Sequence, residues 1–459
     1  MLAFTFRDYL IVLRDFSRLL KYISFLFIPP SLVAGMYGEH LFWVFALEFI
    51  CLWIAGISAE KLFRTEGETA FRHAFVLVGM VWICISLLAS VPFLCYGTGF
   101  VNALFESVSA LTTTGFTVLD PDNLPRSLLF WRSFMQWVGG IGIVVAVLGG
   151  VFRISGFAFY IAEAREERIK PNIVNTVKVI WKIYIFYTLL GVVMLYVFGM
   201  PPFDAVNHAM TAIATGGMST GDISHYSTGV HAVMILLMLV GATSFYTHYL
   251  LFNRRFGNAL KDVQLIFMII LVLLSSFLLA LKTDRTLFEN LFHTVSAVTC
   301  TGFSLSPLSA LSDFSKFLLI VLMVVGGAAG STAGGIKIIR LIVILKSVKL
   351  HVKKLLMPNL VEYPKIGGKT VEEGAVKNAC VFVFTYLLFI VLGSMFLTFM
   401  DYSLVDSLFE VASAQGNVGL SVGIADKLPA AGKLVLIINM LLGRLEIWAL
   451  LTLLPIFKR

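Results

Sequence analysis

Charge is scarce in this sequence. Only 14% of its 459 residues are Asp, Glu, Lys or Arg, against about 25% in a soluble domain. Cysteine is scarce too. Cys51, Cys84, Cys95, Cys300 and Cys380 have spacings that fit neither a zinc site nor a disulfide framework. No H-E-x-x-H or similar cluster of nucleophile, base and metal ligands interrupts the apolar runs, so the chemistry of a membrane-embedded enzyme is missing. Residues 1–20 carry Arg7, Asp8, Arg14, Asp15 and Arg18 and lack the form of a cleaved signal peptide.

Apolar residues make up 58% of the chain. So much apolar surface must face lipid. The net charge of +8 does not indicate nucleic acid, because the basic residues sit in short loops between apolar segments. With about 20 residues needed per spanning helix, candidate spans fall near 22–38, 41–58, 73–96, 130–151, 179–200, 229–252, 263–281, 314–345, 378–400 and 432–456. The eighth is too long for one span and is broken by glycines.

An N-terminus inside places Arg7, Arg14, Arg18, Lys21, Lys61, Arg64, Arg72, Arg153, Arg165, Arg168, Lys170, Lys178, Arg254, Arg255 and Lys261 on the cytoplasmic side. Lys346, Lys349, Lys353, Lys354, Lys365, Lys369, Lys377, Lys458 and Arg459 join them, and only Arg126, Lys282, Arg285 and Lys427 remain outside. That asymmetry predicts a multi-pass membrane protein with both termini cytoplasmic. The outer loops hold many acids, among them Glu106, Asp122, Asp204, Asp222, Asp406, Glu410 and Asp426, and an acidic mouth would concentrate cations.

Four outer loops share one grammar. Half-length helical stretches begin at Asn102, Phe203, Phe288 and Val405, and each is too short to span. Glycine turns follow: Thr113-Thr114-Gly115-Phe116, Thr215-Gly216-Gly217-Met218, Cys300-Thr301-Gly302-Phe303 and Asn417-Val418-Gly419-Leu420. A packing glycine would explain any one loop. Four in register after matched half-helices point to a long-period repeat around one axis. Irregular backbone at membrane depth lines a watery path, half-helix C-termini favour a cation, and carbonyl rings can replace a potassium ion's water. Filter candidates are therefore Thr113, Thr114, Gly115, Thr215, Gly216, Gly217, Cys300, Thr301, Gly302, Asn417, Val418 and Gly419, with potassium as the bound ion.

Two interior features stand out. The run Gly326-Gly327-Ala328-Ala329-Gly330-Ser331-Thr332-Ala333-Gly334-Gly335, then Ile336-Lys337, would break a helix in mid-membrane. A phosphate-binding reading fails because Ile336 stands where that motif needs lysine. Arg444 lies midway along the last span, and Glu446, two positions on, points elsewhere. Arg444 serves either as an electrostatic barrier or as an anchor to an acid or carbonyls of another span. His208, His248 and His293 fit packing or pore-helix hydrogen bonds better than metal binding.

The segments ALTTTGFT (110–117), RSFMQWVGGIGI (132–143), NHAMTAIATGGMST (207–220), VGGAAGSTAGGIKIIR (325–340), ASAQGNVGLSVG (412–423) and GRLEIWALLTLLP (443–455) carry a resemblance over nearly the full length. The chain resembles the Trk/Ktr/HKT superfamily of potassium transporters, in particular its TrkH branch. The resemblance implies an all-α integral membrane protein with four pseudo-repeats of helix, pore loop and helix around a central pore. Two extra spans (1–60) would precede repeats at 61–152, 153–255, 256–350 and 351–459. It implies filter glycines at Gly115, Gly217, Gly302 and Gly419, and Gly115 favours potassium over sodium. It also implies a gate formed by Gly326, Gly327, Gly330, Gly334, Gly335, Lys337 and Arg444. A homodimer in membrane lipid is expected, with a cytosolic nucleotide-binding regulatory subunit resembling TrkA and no organic cofactor in this chain. The expected function is potassium and rubidium uptake across a bacterial inner membrane. The sequence leaves open a symporter coupling potassium to protons or sodium.

Overall fold

A computed structural model describes residues 4–142, 173–357, 359, 362–367 and 369–453. The second half of the expected 130–151 span, Arg153, Arg165, Arg168, Lys170, Lys458 and Arg459 lie outside the described residues. The regular structure of the described residues is helical apart from a two-stranded antiparallel hairpin, Lys365–Ile366 with Lys369–Thr370. It is an all-α multi-pass membrane protein.

Six described helices are long and apolar enough to cross a membrane: Phe6–Met36, Leu41–Leu62, His73–Cys95, Asn175–Val197, Val263–Ala280 and Glu373–Phe399. The last three present large apolar side chains outward, such as Leu189, Leu273 and Phe384, as a lipid-facing surface requires. The first begins far earlier than residue 22. Its amphipathic start carries a Thr5–Asp8 capping box, and its charges are paired. Asp8 meets His73 at 2.6 Å, Arg14 meets Asp15 at 2.9 Å, and Arg18 meets Glu60 at 3.0 Å. The two N-terminal helices dock on the first repeat through Phe27 and Phe45, whose rings pack on Trp131.

Fewer unbroken spans appear than the hydropathy reading predicts, and the reason is local. The helices that follow the glycine loops, Arg126–Ile141, Thr228–Ala242, Asp313–Val325 and Ala430–Arg444, all stop short. The first ends at Gly142 (φ 95°) and the third at Gly326 (φ 71°), where glycine admits a left-handed backbone. The second meets Phe245–Phe252 at 104°. The fourth breaks at Glu446 (φ 46°) and Ile447 (φ 69°), unusual values for a branched residue. Each broken helix has a glycine twenty-four residues after its loop glycine, Gly139, Gly241, Gly326 and Gly443, and glycine is densest at the third break. The expected long eighth span resolves into Asp313–Val325, a loop, and Ile338–Leu356.

Four short helices carry the expected half-helix stretches, starting one or two residues earlier: Phe100–Leu111, Pro202–Ile213, Leu287–Val298 and Leu404–Gln415. Each packs against the broken helix of the preceding repeat, and the first packs against that of the fourth, Ala430–Arg444, so the arrangement closes into a ring. The register is uniform. Every short helix begins fifteen residues before its glycine, and every broken helix begins eleven after it.

Candidate functional site

The four glycine loops have one backbone. After each short helix a non-glycine residue turns left-handed: Thr113 (φ 59°), Thr215 (52°), Cys300 (54°) and Asn417 (52°). Two positions later comes a left-handed glycine: Gly115 (91°), Gly217 (72°), Gly302 (96°) and Gly419 (88°). Each strained non-glycine residue costs about 1–3 kcal/mol, so the surrounding packing must impose the shape.

The loops interlock head to tail. A Cβ added at Gly115 would overlap the Gly216 carbonyl oxygen, one at Gly217 the Thr301 oxygen, one at Gly302 the Val418 oxygen, and one at Gly419 the Thr114 oxygen. Each glycine accommodates the carbonyl that precedes the next loop's glycine, and the fourth loop closes on the first. No side chain fits between them. Polar side chains join the loops further: Asn417 Nδ2 donates to Thr114 Oγ1 at 3.1 Å and to the Met440 carbonyl at 2.8 Å. Cys300 is fully buried, its Sγ 4.0 Å from the Val298 and Met323 carbonyls.

In three of the four loops a buried side chain nine residues before the glycine holds the segment leaving the loop. Glu106 Oε1 accepts from the Thr117 hydroxyl and the Val118 N–H, both at 2.6 Å. Glu410 Oε1 accepts from the Ser421 hydroxyl at 2.6 Å and the Val422 N–H at 3.0 Å. His293 Nε2 lies 3.2 Å from both Ser304 Oγ and the Leu305 backbone nitrogen. His208 occupies the matching place in the second loop, where its Nδ1 lies 2.8 Å from the Asp204 carbonyl oxygen. Glu106 also faces the buried Arg132 at 3.5 Å. The acidic-mouth expectation therefore needs correction: Glu106 and Glu410 are fully buried and committed to loop backbone, while Asp122, Asp222 and Asp426 are exposed. Hydrogen bonds from the Ser224 N–H and hydroxyl hold the Asp222 carboxyl below the ordinary carboxylate range. His248 is satisfied by packing, with Tyr187 Oη at 3.1 Å and the Val240 carbonyl at 2.9 Å.

The glycine-rich segment lies directly against the ring. Thr332 Oγ1 reaches the Ile213 and Gly241 carbonyls at 3.0 and 2.9 Å and Thr215 Oγ1 at 3.3 Å. The Phe245 N–H donates to the Gly330 carbonyl at 2.8 Å. A Cβ at Gly334 would overlap the Gly416 carbonyl of the fourth loop, Gly327 packs on Ala242 and Ala333, and Gly326 and Gly335 are in mutual contact. The segment thus runs from the second repeat to the fourth. Arg444 stands at the end of Ala430–Arg444. Its guanidinium donates to the Gly139 carbonyl, to the Thr332 carbonyl at 3.3 Å and to Thr113 Oγ1 at 3.5 Å. Carbonyls of other elements hold it, and Glu446 turns away to pair with Arg340 at 2.5 Å. Lys337, left-handed at φ 78°, bonds the Ala333 carbonyl. Gly330, Gly334, Gly335, Lys337, Asn417, Arg444 and Glu446 border one small cavity of about 40 Å³, with room for a few waters.

The family model of TrkH, described as a cation transport protein, matches residues 43–264 and 258–457. The chain belongs to the TrkH family. An uncharacterized cation transporter of Methanocaldococcus jannaschii is 36% identical, with 96% of this chain and 94% of that protein covered. The Trk system potassium uptake protein TrkH of Vibrio parahaemolyticus is 33% identical, with 98% and 99% covered. The crystal structure of the potassium transporter TrkH from Vibrio parahaemolyticus superposes with a TM-score of 0.87 at 31% identity, covering 99% of this chain and all of that one. TrkH-family proteins are transporters, not enzymes.

Several residues of this TrkH-family site escape a reading by motif. Glu106, His208, His293 and Glu410 share one offset from the glycines, a signal visible only once the four loops are aligned. Lys316 and Lys433 tie neighbouring repeats together, bonding Asp406 at 2.8 Å and Asn102 at 2.9 Å in the next repeat. Arg340, stacked 4.2 Å from the Phe382 ring centroid and paired with Glu446, links the helix after the glycine segment to the break in the last span.

Proposed function

We propose that this chain takes up potassium, and rubidium, across a bacterial inner membrane through a filter of four glycine loops. The carrying observation is the closed ring in which each glycine receives the next loop's carbonyl. Such a ring offers backbone oxygens in place of an ion's water, and the short helices point their partly negative ends toward it. Relatives named as potassium uptake proteins support potassium as the cargo.

In this reading Thr113, Thr114, Gly115, Thr215, Gly216, Gly217, Cys300, Thr301, Gly302, Asn417, Val418 and Gly419 form the filter wall. Gly326, Gly327, Gly330, Gly334 and Gly335 shape a plug beneath it. Lys337 and Arg444 add positive charge where an ion would leave. The contacts of Thr332 with Thr215 and of Arg444 with Thr113 support that placement. Both termini are cytoplasmic and the protein works as a homodimer. The cleft lined by Lys346, Lys349, Lys353, Tyr363 and Lys365 suits a cytosolic nucleotide-binding subunit that sets opening. The test is growth and rubidium uptake in potassium-starved cells lacking their own uptake systems. Expression of this chain restores both; unchanged uptake with protein present in the membrane refutes the reading.

A further inference from the structure

The ring is fourfold in backbone but not in its supports. Twenty-one residues after each glycine, on the broken helix, stand Gln136, Met238, Met323 and Met440, all buried. A thioether accepts weakly and donates nothing, whereas an amide does both. Gln136 Nε2 donates to the Gly216 carbonyl at 2.6 Å, and Gln136 Oε1 accepts from the Met218 N–H at 3.1 Å. The two bonds bracket Gly217. This orientation of the amide satisfies a donor and an acceptor, and the reverse satisfies neither.

Gln136 also explains why the second loop has two glycines. The residue before the other ring glycines is Thr114, Thr301 or Val418, and here it is Gly216. A Cβ on Gly216 would stand 2.5 Å from Gln136 Oε1 and 2.8 Å from Nε2. The amide fills the space a side chain would take. The Gly216 carbonyl is the one received by Gly115, so Gln136 sits at the junction of the first and second loops.

We infer that Gln136 is a specificity-determining residue, an amide tether that fixes the second loop's ring carbonyl and opposes contraction of the ring around a smaller ion. This rests on the filter reading above. A carbonyl oxygen has two lone pairs, so one can hold the tether while the other faces the ion. The other three loops lack a side-chain donor from this position. Losing the tether loosens one of four rungs and lets the ring adapt to sodium.

The test is the potassium-to-sodium flux ratio of purified protein in liposomes, for Gln136→Met, Gly216→Ala, Gln136→Ala/Gly216→Ala and Gly115→Ser. Gln136→Met installs the residue of the other three repeats and should keep potassium flux while lowering the ratio about five- to tenfold, the scale of one net hydrogen bond. Gly216→Ala alone should abolish flux by collision with the amide. The double variant should recover flux with the lowered ratio, and it carries the same test if Gln136→Met does not fold. An unchanged ratio in Gln136→Met or in the double variant, while Gly115→Ser lowers it, overturns the tether and leaves the filter standing. An unchanged ratio in Gly115→Ser as well overturns the filter reading itself.

Discussion

Arg444 and Thr332 meet beneath the glycine ring. The guanidinium of the last broken helix lies 3.3 Å from the carbonyl of the glycine-rich segment, and the Thr332 hydroxyl reaches on to Thr215 at 3.3 Å. One short chain of contacts therefore links the arginine, the segment and the second loop. The same arginine touches Thr113 of the first loop.

Removing that charge should open the path. A potassium ion about 4 Å from a fixed positive charge at an effective dielectric of about 20 meets about 4 kcal/mol before screening, roughly a thousandfold in rate. Arg444→Ala, or deletion of Gly334-Gly335, should raise basal flux without any cytosolic partner. Combined, the two changes should be less than additive, since they act on one barrier. Flux in liposomes measures this. Folded variants no more conductive than the parent would make Arg444 a structural anchor.

Glu410 should matter through its acceptor oxygen. Glu410→Ala leaves the Ser421 hydroxyl and Val422 N–H without their acceptor, at about 1–3 kcal/mol per unsatisfied group. Thermal denaturation in detergent should show a lower midpoint and flux assays a lower potassium-to-sodium ratio. Glu410→Gln, which keeps an amide oxygen there, should recover most of both. Equal damage from the two variants would assign the effect to charge instead.

The Arg340–Glu446 pair, largely shielded from solvent, should be strongly coupled. Breaking such a pair from one side costs about 3–5 kcal/mol. Arg340→Met and Glu446→Gln should each lower the melting midpoint, and the double variant should be less destabilised than the sum of the two. Strict additivity in that cycle would show that the pair contributes nothing as a pair.

Orientation is open to direct labelling. Single cysteines at Asp122 and Lys427 should react with an impermeant thiol reagent in intact cells, and one at Lys354 should not. The parent for this test replaces the native Cys51, Cys95 and Cys380, which are exposed. Labelling at Lys354 contradicts cytoplasmic placement of that helix end.

The repeat, the glycines and the odd chemistry of residues 326–335 are legible in the sequence because each is a local pattern: half-length helices, a turn residue, a density of glycine. What pairs across the repeats is not. Nothing near Gly216 in the chain announces Gln136, eighty positions earlier, and Glu446 beside Arg444 gives no hint of Arg340. The breaks near Thr243 and Ile447 are marked only by single glycines, Gly241 and Gly443, and tertiary packing sets where the chain turns. The expected acidic mouth failed for Glu106 and Glu410 because composition counts a carboxylate without showing which way its helix turns it.

The central claim is that Gly115 and its three counterparts form an ion-selecting ring. The most direct measurement is the potassium-to-sodium flux ratio of Gly115→Ser in liposomes beside the parent protein. A Cβ there collides with the Gly216 carbonyl, so the ring must distort. A ratio that falls clearly, with protein still folded and conducting, is the result this account predicts. A ratio unchanged from the parent would contradict it.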